Sequence, residues 1–437
     1  MDPMVIFTLM MVVLFIGLLS GARVSMAMGL VALVSLGLLV PHPMLTTIAE
    51  TFWGMAFSYI LVCLPLFLLM GYLVSNTALS RYIFDFFSCW LQRLPGGAIH
   101  GVLAGTGLFG AATGSAPADA AALSVIAYPE LRKRGYDISL STGALAAGGM
   151  VGILMPPSTV MIWYAFFTGT SLGHLFMGGV LPAIIMVVAF VVTTMVIVKV
   201  NPSLAPKEPD IAAREKMRVT LRFIPVFVVI ASVLMMIYTG VATPTEVSAV
   251  AVSLVLILAL AYRSLTVQNL IQSLRETVLT GSAFLFIVAC GLSFAFVIQY
   301  HDITGWIANA LLSLGVDRYV ILAGIYLILI VMGMMIEPIS IIILTVPIMF
   351  PIVTSLGFDP LWFGVVYTIL FQIAGITPPV GLNLYIVNGV CPGSSIEGIA
   401  KGALPYLGVM FGMLILCTVF PEIVLCVPRS MGWNWRP

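Results

Sequence analysis

Apolar runs of about 17 residues or more recur along the chain, split by short polar joints, as in helices that cross a membrane several times. Residues 4–20 and 24–40 read as two spans joined by Gly21-Ala22-Arg23. An amphipathic piece at 43–56, with Glu50 and Trp53, suits the membrane interface. A span at 57–75 follows, then a short polar stretch carrying Arg81 and Arg93. Runs at 140–168 and 174–199 close the first half, and the hydrophilic loop 200–222 comes next.

The stretch Pro95–Tyr128 departs from this pattern, being apolar yet crowded with Gly, Ala, Ser and Thr. Pro117 is expected to break it, with one acid, Asp119, past the break. Two arms of about 15 residues would each reach roughly 22 Å, short of a ~30 Å hydrocarbon core. The stretch therefore reads as a hairpin that enters the membrane and turns back. Irregular backbone at that depth needs protein or a watery cavity around it, and an ionisable group there points to function.

The second half repeats the first. Gly17 and Ser25 match Gly240 and Ser248, and TSLGHLFMGGVLP, ending at Pro182, matches SSIEGIAKGALP, ending at Pro405, all offset by 223. GYD at 135–137 matches GFD at 357–359, and Pro156-Pro157 matches Pro378-Pro379, offset by 222. Ordered matches of this kind indicate duplication. Spans are thus expected at 223–240, 246–262, 279–299 and 402–426, and a second interfacial arm at 266–277. A second hairpin at 317–354 is broken at Glu337-Pro338, and a second broken span at 360–390 carries Gly375-Ile376-Thr377-Pro378-Pro379-Val380-Gly381. It corresponds to the break Gly152–Ser158 in the span 140–168. The expected organisation is a first repeat at 1–200, a cytoplasmic linker at 201–222 and a second repeat at 223–437.

Five crossings per half, an odd number, require oppositely oriented halves. The distribution of basic residues tests this. With both termini outside, Arg23, Arg81, Arg93, Arg132, Lys133, Arg134, Lys199, Lys207, Arg214, Lys216, Arg218, Arg222, Arg263, Arg275 and Lys401 fall on the cytoplasmic side. Of the 18 basic residues only Arg318, Arg429 and Arg436 fall outside. The expected fold is an all-α polytopic membrane protein with inverted repeats: about ten transmembrane helices, two re-entrant hairpins and two broken helices, as in ion-coupled transporters.

A helix interrupted in the membrane bares carbonyls at one end and amides at the other. Pro156-Pro157-Ser158 and Pro378-Pro379 are expected to start second half-helices, since Pro at the first helical position wastes no donor. Their positive ends suit an anionic substrate, and the carbonyls before them suit a small cation. Oxygen donors are the ligands a hard cation prefers. The sodium candidates are Gly114, Ser115, Asp119, Gly152, Ser158, Glu337, Gly375, Thr377 and Asn383. The substrate candidates are Ser115, Pro156, Pro157, Ser158, Thr377, Pro378, Pro379 and Asn383. Read blandly, the prolines are kinks and the small residues allow close packing. Glu337 could orient its hairpin tip, carry a proton or pair with Asn383. His42, His100, His174 and His301 form no ligand set and read as structural, while Trp433 and Trp435 read as interfacial anchors.

Composition narrows the class. The 437 residues are 61% hydrophobic and 8% charged, with mean hydropathy +1.17, which no soluble domain matches. The net charge of +1 brings no basic aromatic patch for nucleic acid. The start MDPMVIFTLM lacks a positive segment, so the first run is expected to be a retained helix. Cys63, Cys89, Cys290, Cys391, Cys417 and Cys426 show neither disulfide nor transition-metal spacing and read as packing residues. No Gly-Lys pair occurs, so no phosphate-binding loop of the ATPase type is present and an ion gradient remains as energy source. Asp119 and Glu337 as an intramembrane acid pair would be the enzymatic alternative, but no Gly-x-Gly-Asp, H-E-x-x-H or G-x-S-x-G setting accompanies them. A channel would favour an open axial pore with a ring of polar residues.

GSAPADAAAL at 114–123, RGYD at 134–137, PPS at 156–158, the run Glu337–Pro351 and TPPVGLNLY at 377–385 resemble the large membrane subunit of tripartite ATP-independent periplasmic (TRAP) transporters, the dicarboxylate permease type. The resemblance covers essentially the whole chain. It implies an elevator-type carrier in a bacterial inner membrane, with a mobile core of two hairpins and two broken helices. It also implies Na⁺ as the coupling ion, no cofactor, a small four-helix membrane subunit, a periplasmic substrate-binding protein and small organic acid substrates: dicarboxylates, sialic or other sugar acids, or keto acids. Glu337-Pro338 departs from the family's frequent Asp-Thr. A stand-alone carrier of the divalent-anion/sodium symporter type shares the architecture and would need no partner.

Overall fold

A computed structural model of the chain describes residues 3–20, 24–39, 46–208, 211–307 and 315–435. Gly21-Ala22-Arg23, His42 and Arg436 lie outside the described residues. The described chain is helical, and six of its helices are long and apolar enough to cross a membrane: Leu172–Val200, Ala213–Thr239, Pro244–Ala261, Val267–Tyr300, Pro338–Ser355 and Ile396–Val419. Pro3–Leu19 and Val24–Leu39 form the first antiparallel pair.

Several boundaries differ from the sequence reading. The polar stretch after the third span is a helix, Leu79–Leu91, bent by 64° from Tyr59–Ser75. Its buried face, Leu79, Ile83, Phe84 and Ser88, follows helical spacing, while Arg81 and Asp85 mark the opposite side. Residues 213–222 are not loop but the start of Ala213–Thr239, because the Arg, Lys, Glu and Met there are good helix formers that run on into the span. The expected arm 266–277 and span 279–299 are one helix of 34 residues, Val267–Tyr300, capped by Thr266 and with no proline to break it. The run 402–426 instead divides at Pro421, where Ile396–Val419 stops and Glu422–Ser430 begins.

Packing exchanges the two halves. Val24–Leu39 lies on Val267–Tyr300, and the reciprocal pair, Tyr59–Ser75 on Pro244–Ala261, also forms. Thr159–Thr168 packs on Pro338–Ser355, and its counterpart Leu382–Val390 packs on Ala116–Lys133. Ile138–Val151 is held against Ile396–Val419 at Gly143 and Gly402, and Ser139 Oγ donates to the Gly398 carbonyl at 2.5 Å. Such reciprocity is expected of duplicated halves related by a pseudo-two-fold axis. It seats the second arm of each hairpin against the broken helix of the opposite half.

Candidate functional site

The first hairpin consists of Ile99–Thr113 and Ala116–Lys133. Its turn is Gly114, with φ 61°, followed by extended Ser115. Only glycine serves at 114, because the backbone is left-handed and a side chain would overlap the Pro157 carbonyl oxygen. Pro117 is therefore not the break. It sits in the first turn of the second arm, where a missing N–H removes no intrahelical bond.

The tip is stitched to the first broken helix, Ile138–Val151 and Thr159–Thr168. The Gly114 carbonyl accepts from Thr159 N at 3.2 Å and from Thr159 Oγ1 at 2.9 Å. Asp137 caps the first half, accepting from Leu140 N at 2.8 Å, and Ser158 caps the second, accepting from Met161 N at 3.3 Å. Pro156 and Pro157 thus stand inside the break, before the cap, and not at the first helical position. They end the preceding helix, and Ser158 starts the next because its side chain satisfies an otherwise orphaned amide.

Asp119 is fully buried. Its Oδ1 accepts from the Thr113 hydroxyl, while Oδ2 has no protein partner and faces Gly152. A methyl group at 152 would strike both Asp119 and the Gly110 α-carbon, so three small-residue segments converge on one carboxylate. An ionised carboxylate there needs a cation or amide donors to offset a desolvation cost of several kcal/mol.

The second broken helix, Pro360–Gly375 and Leu382–Val390, is joined to the first by two amides. Asn383 Nδ2 donates to the Ala146 carbonyl at 3.2 Å, and Gln372 Nε2 donates to the Met150 carbonyl at 2.8 Å. The Met150 side chain lies against Gly375. Gln372 was missed by sequence reasoning, although it is the single amide side chain in an apolar helix of 16 residues. Gly381, with φ 57°, precedes the second half-helix, so Pro378 and Pro379 are again inside the break.

Glu337 ends the turn of the second hairpin, Arg318–Gly333 and Pro338–Ser355, and accepts from Ser340 Oγ at 2.8 Å. Thr377 Oγ1 donates to the Ile373 carbonyl at 2.5 Å. Both side chains thus bond locally, and Asn383 is committed to Ala146. Gly114, Asp119, Gly152 and Ser158 form one cluster, with Ser115 partly exposed at its rim; Asn383 and Gly375 reach the same broken helix. The two breaks also differ in cover. Pro156, Pro157 and Ser158 are buried, whereas Pro378 and Pro379 are exposed.

Other polar side chains singled out above bond within the fold. His100 Nε2 bonds the Pro95 carbonyl at 2.8 Å, and His174 pairs with Ser171 Oγ at 2.8 Å. Trp433 Nε1 donates to Asp359 Oδ2 at 3.0 Å, so it holds a corner of the second half. Cys426 is exposed and the other five cysteines are buried, all as free thiols.

Residues 11–423 match the model of the family described as tripartite ATP-independent periplasmic transporter, DctM component. The C4-dicarboxylate TRAP transporter large permease protein DctM of Pseudomonas aeruginosa is 33% identical over 378 residues, covering 86% of this chain and 88% of that protein. The sialic acid TRAP transporter large permease protein SiaM of Vibrio cholerae is 29% identical, covering 87% and 89%. The isethionate TRAP transporter permease protein DctMQ of Oleidesulfovibrio alaskensis is 28% identical, covering 93% of this chain and 64% of that one. The crystal structure of the Alcanivorax borkumensis YdaH transporter shares the fold, with a TM-score of 0.58 at 15% identity over 90% of each chain. With the family model spanning nearly its full length, the chain belongs to the DctM component family and is the large permease of a TRAP transporter.

Proposed function

We propose that this permease imports small organic acids across a bacterial inner membrane, driven by a Na⁺ gradient, by an elevator movement of its two hairpins and two broken helices. The observation that carries the reading is Asp119: a fully buried carboxylate with one oxygen unpartnered, set between a hairpin turn and a helix break. A buried charge in that setting matches a cation-coordinating role better than a packing role. The relatives named for dicarboxylate, sialic acid and isethionate support an anionic organic substrate. Half-helix starts at Thr159 and Leu382 offer positive ends for it. The unequal cover of the two breaks supports alternating access, with one closed and one open.

Partners follow from the family. A periplasmic binding protein would deliver the solute and a small membrane subunit would complete the complex; the longer DctMQ relative, of which this chain matches only part, is consistent with such a subunit. The distribution of basic residues supports a periplasmic position for both termini. The test is uptake of a panel of organic acids by cells expressing this chain alone or with a small subunit and a binding protein of the TRAP type. Uptake should need all three. Full uptake by the chain alone would instead make it a stand-alone divalent-anion carrier.

A further inference from the structure

The corner Arg134–Asp137, whose last residue caps the first broken helix, gathers hydrogen bonds from distant segments. Arg134 Nη1 donates to Glu208 Oε2 at 2.6 Å, and the Tyr136 hydroxyl donates to Glu208 Oε1. The same hydroxyl accepts from Ala98 N at 2.8 Å. Asp137 N donates to the Leu204 carbonyl at 3.0 Å. Ala98 stands at the foot of the first hairpin's first arm, and Arg134 directly follows its second. The Glu208 side chain is only 4% exposed, although it belongs to the hydrophilic stretch between the halves. A carboxylate taken out of water this far needs strong donors, and among the described residues Arg134 and Tyr136 supply them. Burial and the neighbouring carboxylate both push the Tyr136 hydroxyl's pKa up, so it stays a donor.

The second half holds its equivalent corner with different chemistry. Phe358 replaces Tyr136 and stacks on Trp362, with ring centroids 5.4 Å apart. Asp359 accepts from Trp433, in the segment that follows the last long helix of that half. Glu208 likewise follows the last long helix of the first half, Leu172–Val200.

We infer that Glu208 is a positioning residue: it pins the segment joining the two halves onto both feet of the first hairpin, and so sets where the tip bearing Asp119 stands. Its effect on transport rests on the function proposed above; the pin itself does not. Hydrogen exchange on the full-length chain in detergent tests the pin. Glu208→Ala and Tyr136→Phe should each speed exchange at the Ala98 amide by about 10-fold or more, with the double variant no faster than the faster single one. Glu208→Gln keeps an acceptor for Tyr136 and should lie between wild type and Glu208→Ala. Unchanged exchange at Ala98, or additive effects in the double variant, overturns the pin. If Glu208→Ala does not accumulate, Glu208→Gln decides it by the same criterion.

In proteoliposomes with the partner proteins, Glu208→Ala should lower the maximal uptake rate several-fold while leaving half-saturation for the organic acid unchanged. A shift in half-saturation alone overturns the positioning role. No uptake by the wild type would sink the transport reading, while the exchange result would still decide the pin.

Discussion

Asp119 Oδ2 and Gly152 face each other with no room for a methyl group between them. This contact closes the first hairpin onto the first broken helix. It also leaves a carboxylate oxygen without a hydrogen-bond partner against interrupted helical backbone; the cation proposed for this site would supply that partner.

Gly152→Ala should force the tip and the break apart. Overpacking of this kind costs about 1–3 kcal/mol. The purified variant should melt several degrees lower and transport little. An unchanged melting temperature with normal uptake would show that the tip does not close on Gly152.

Asp119→Asn keeps size and an acceptor for Thr113 but removes the charge. It should accumulate normally and demand several-fold more Na⁺ for half-maximal uptake, with Asp119→Ala worse for transport. An unchanged Na⁺ dependence in Asp119→Asn would make the acid structural.

Gln372→Leu should strip the Met150 carbonyl of its side-chain donor inside a buried interface. The expected loss is about 1–3 kcal/mol, read as a lower melting temperature. Asn383→Leu should behave alike through Ala146. If neither variant changes stability, the two broken helices are held together by apolar packing alone.

Topology is tested by reporter fusions. A reporter active only outside the cytoplasm should work when fused after Pro437 and be silent near Arg214. The reverse would invert the membrane orientation and the side to which each hairpin opens.

The repeat and both hairpins were legible in the sequence because small residues, paired prolines and GYD against GFD recur in order at offsets of 222 or 223. The turn at Gly114 was not. Pro117 looked like a breaker, but the first turn of a helix tolerates proline, and the deciding contact, with Pro157, is remote in sequence. The helix Leu79–Leu91 was hidden by Arg81 and Asp85, which obscure an apolar face only 13 residues long. Asp119 was legible as an isolated acid in an apolar stretch, whereas its approach to Gly152 depends on tertiary packing. The bond from Gln372 to Met150 spans 222 residues, beyond any local pattern.

The proposed coupling of Na⁺ to organic acid movement at the hairpin tips can be isolated in vesicles. Its most direct test is uptake into proteoliposomes holding this chain and its small subunit, with the loaded binding protein outside and the Na⁺ gradient as the sole variable. Uptake is expected only with inward Na⁺, accompanied by net movement of positive charge. Undiminished uptake under a pure proton gradient, with Na⁺ absent, would contradict it.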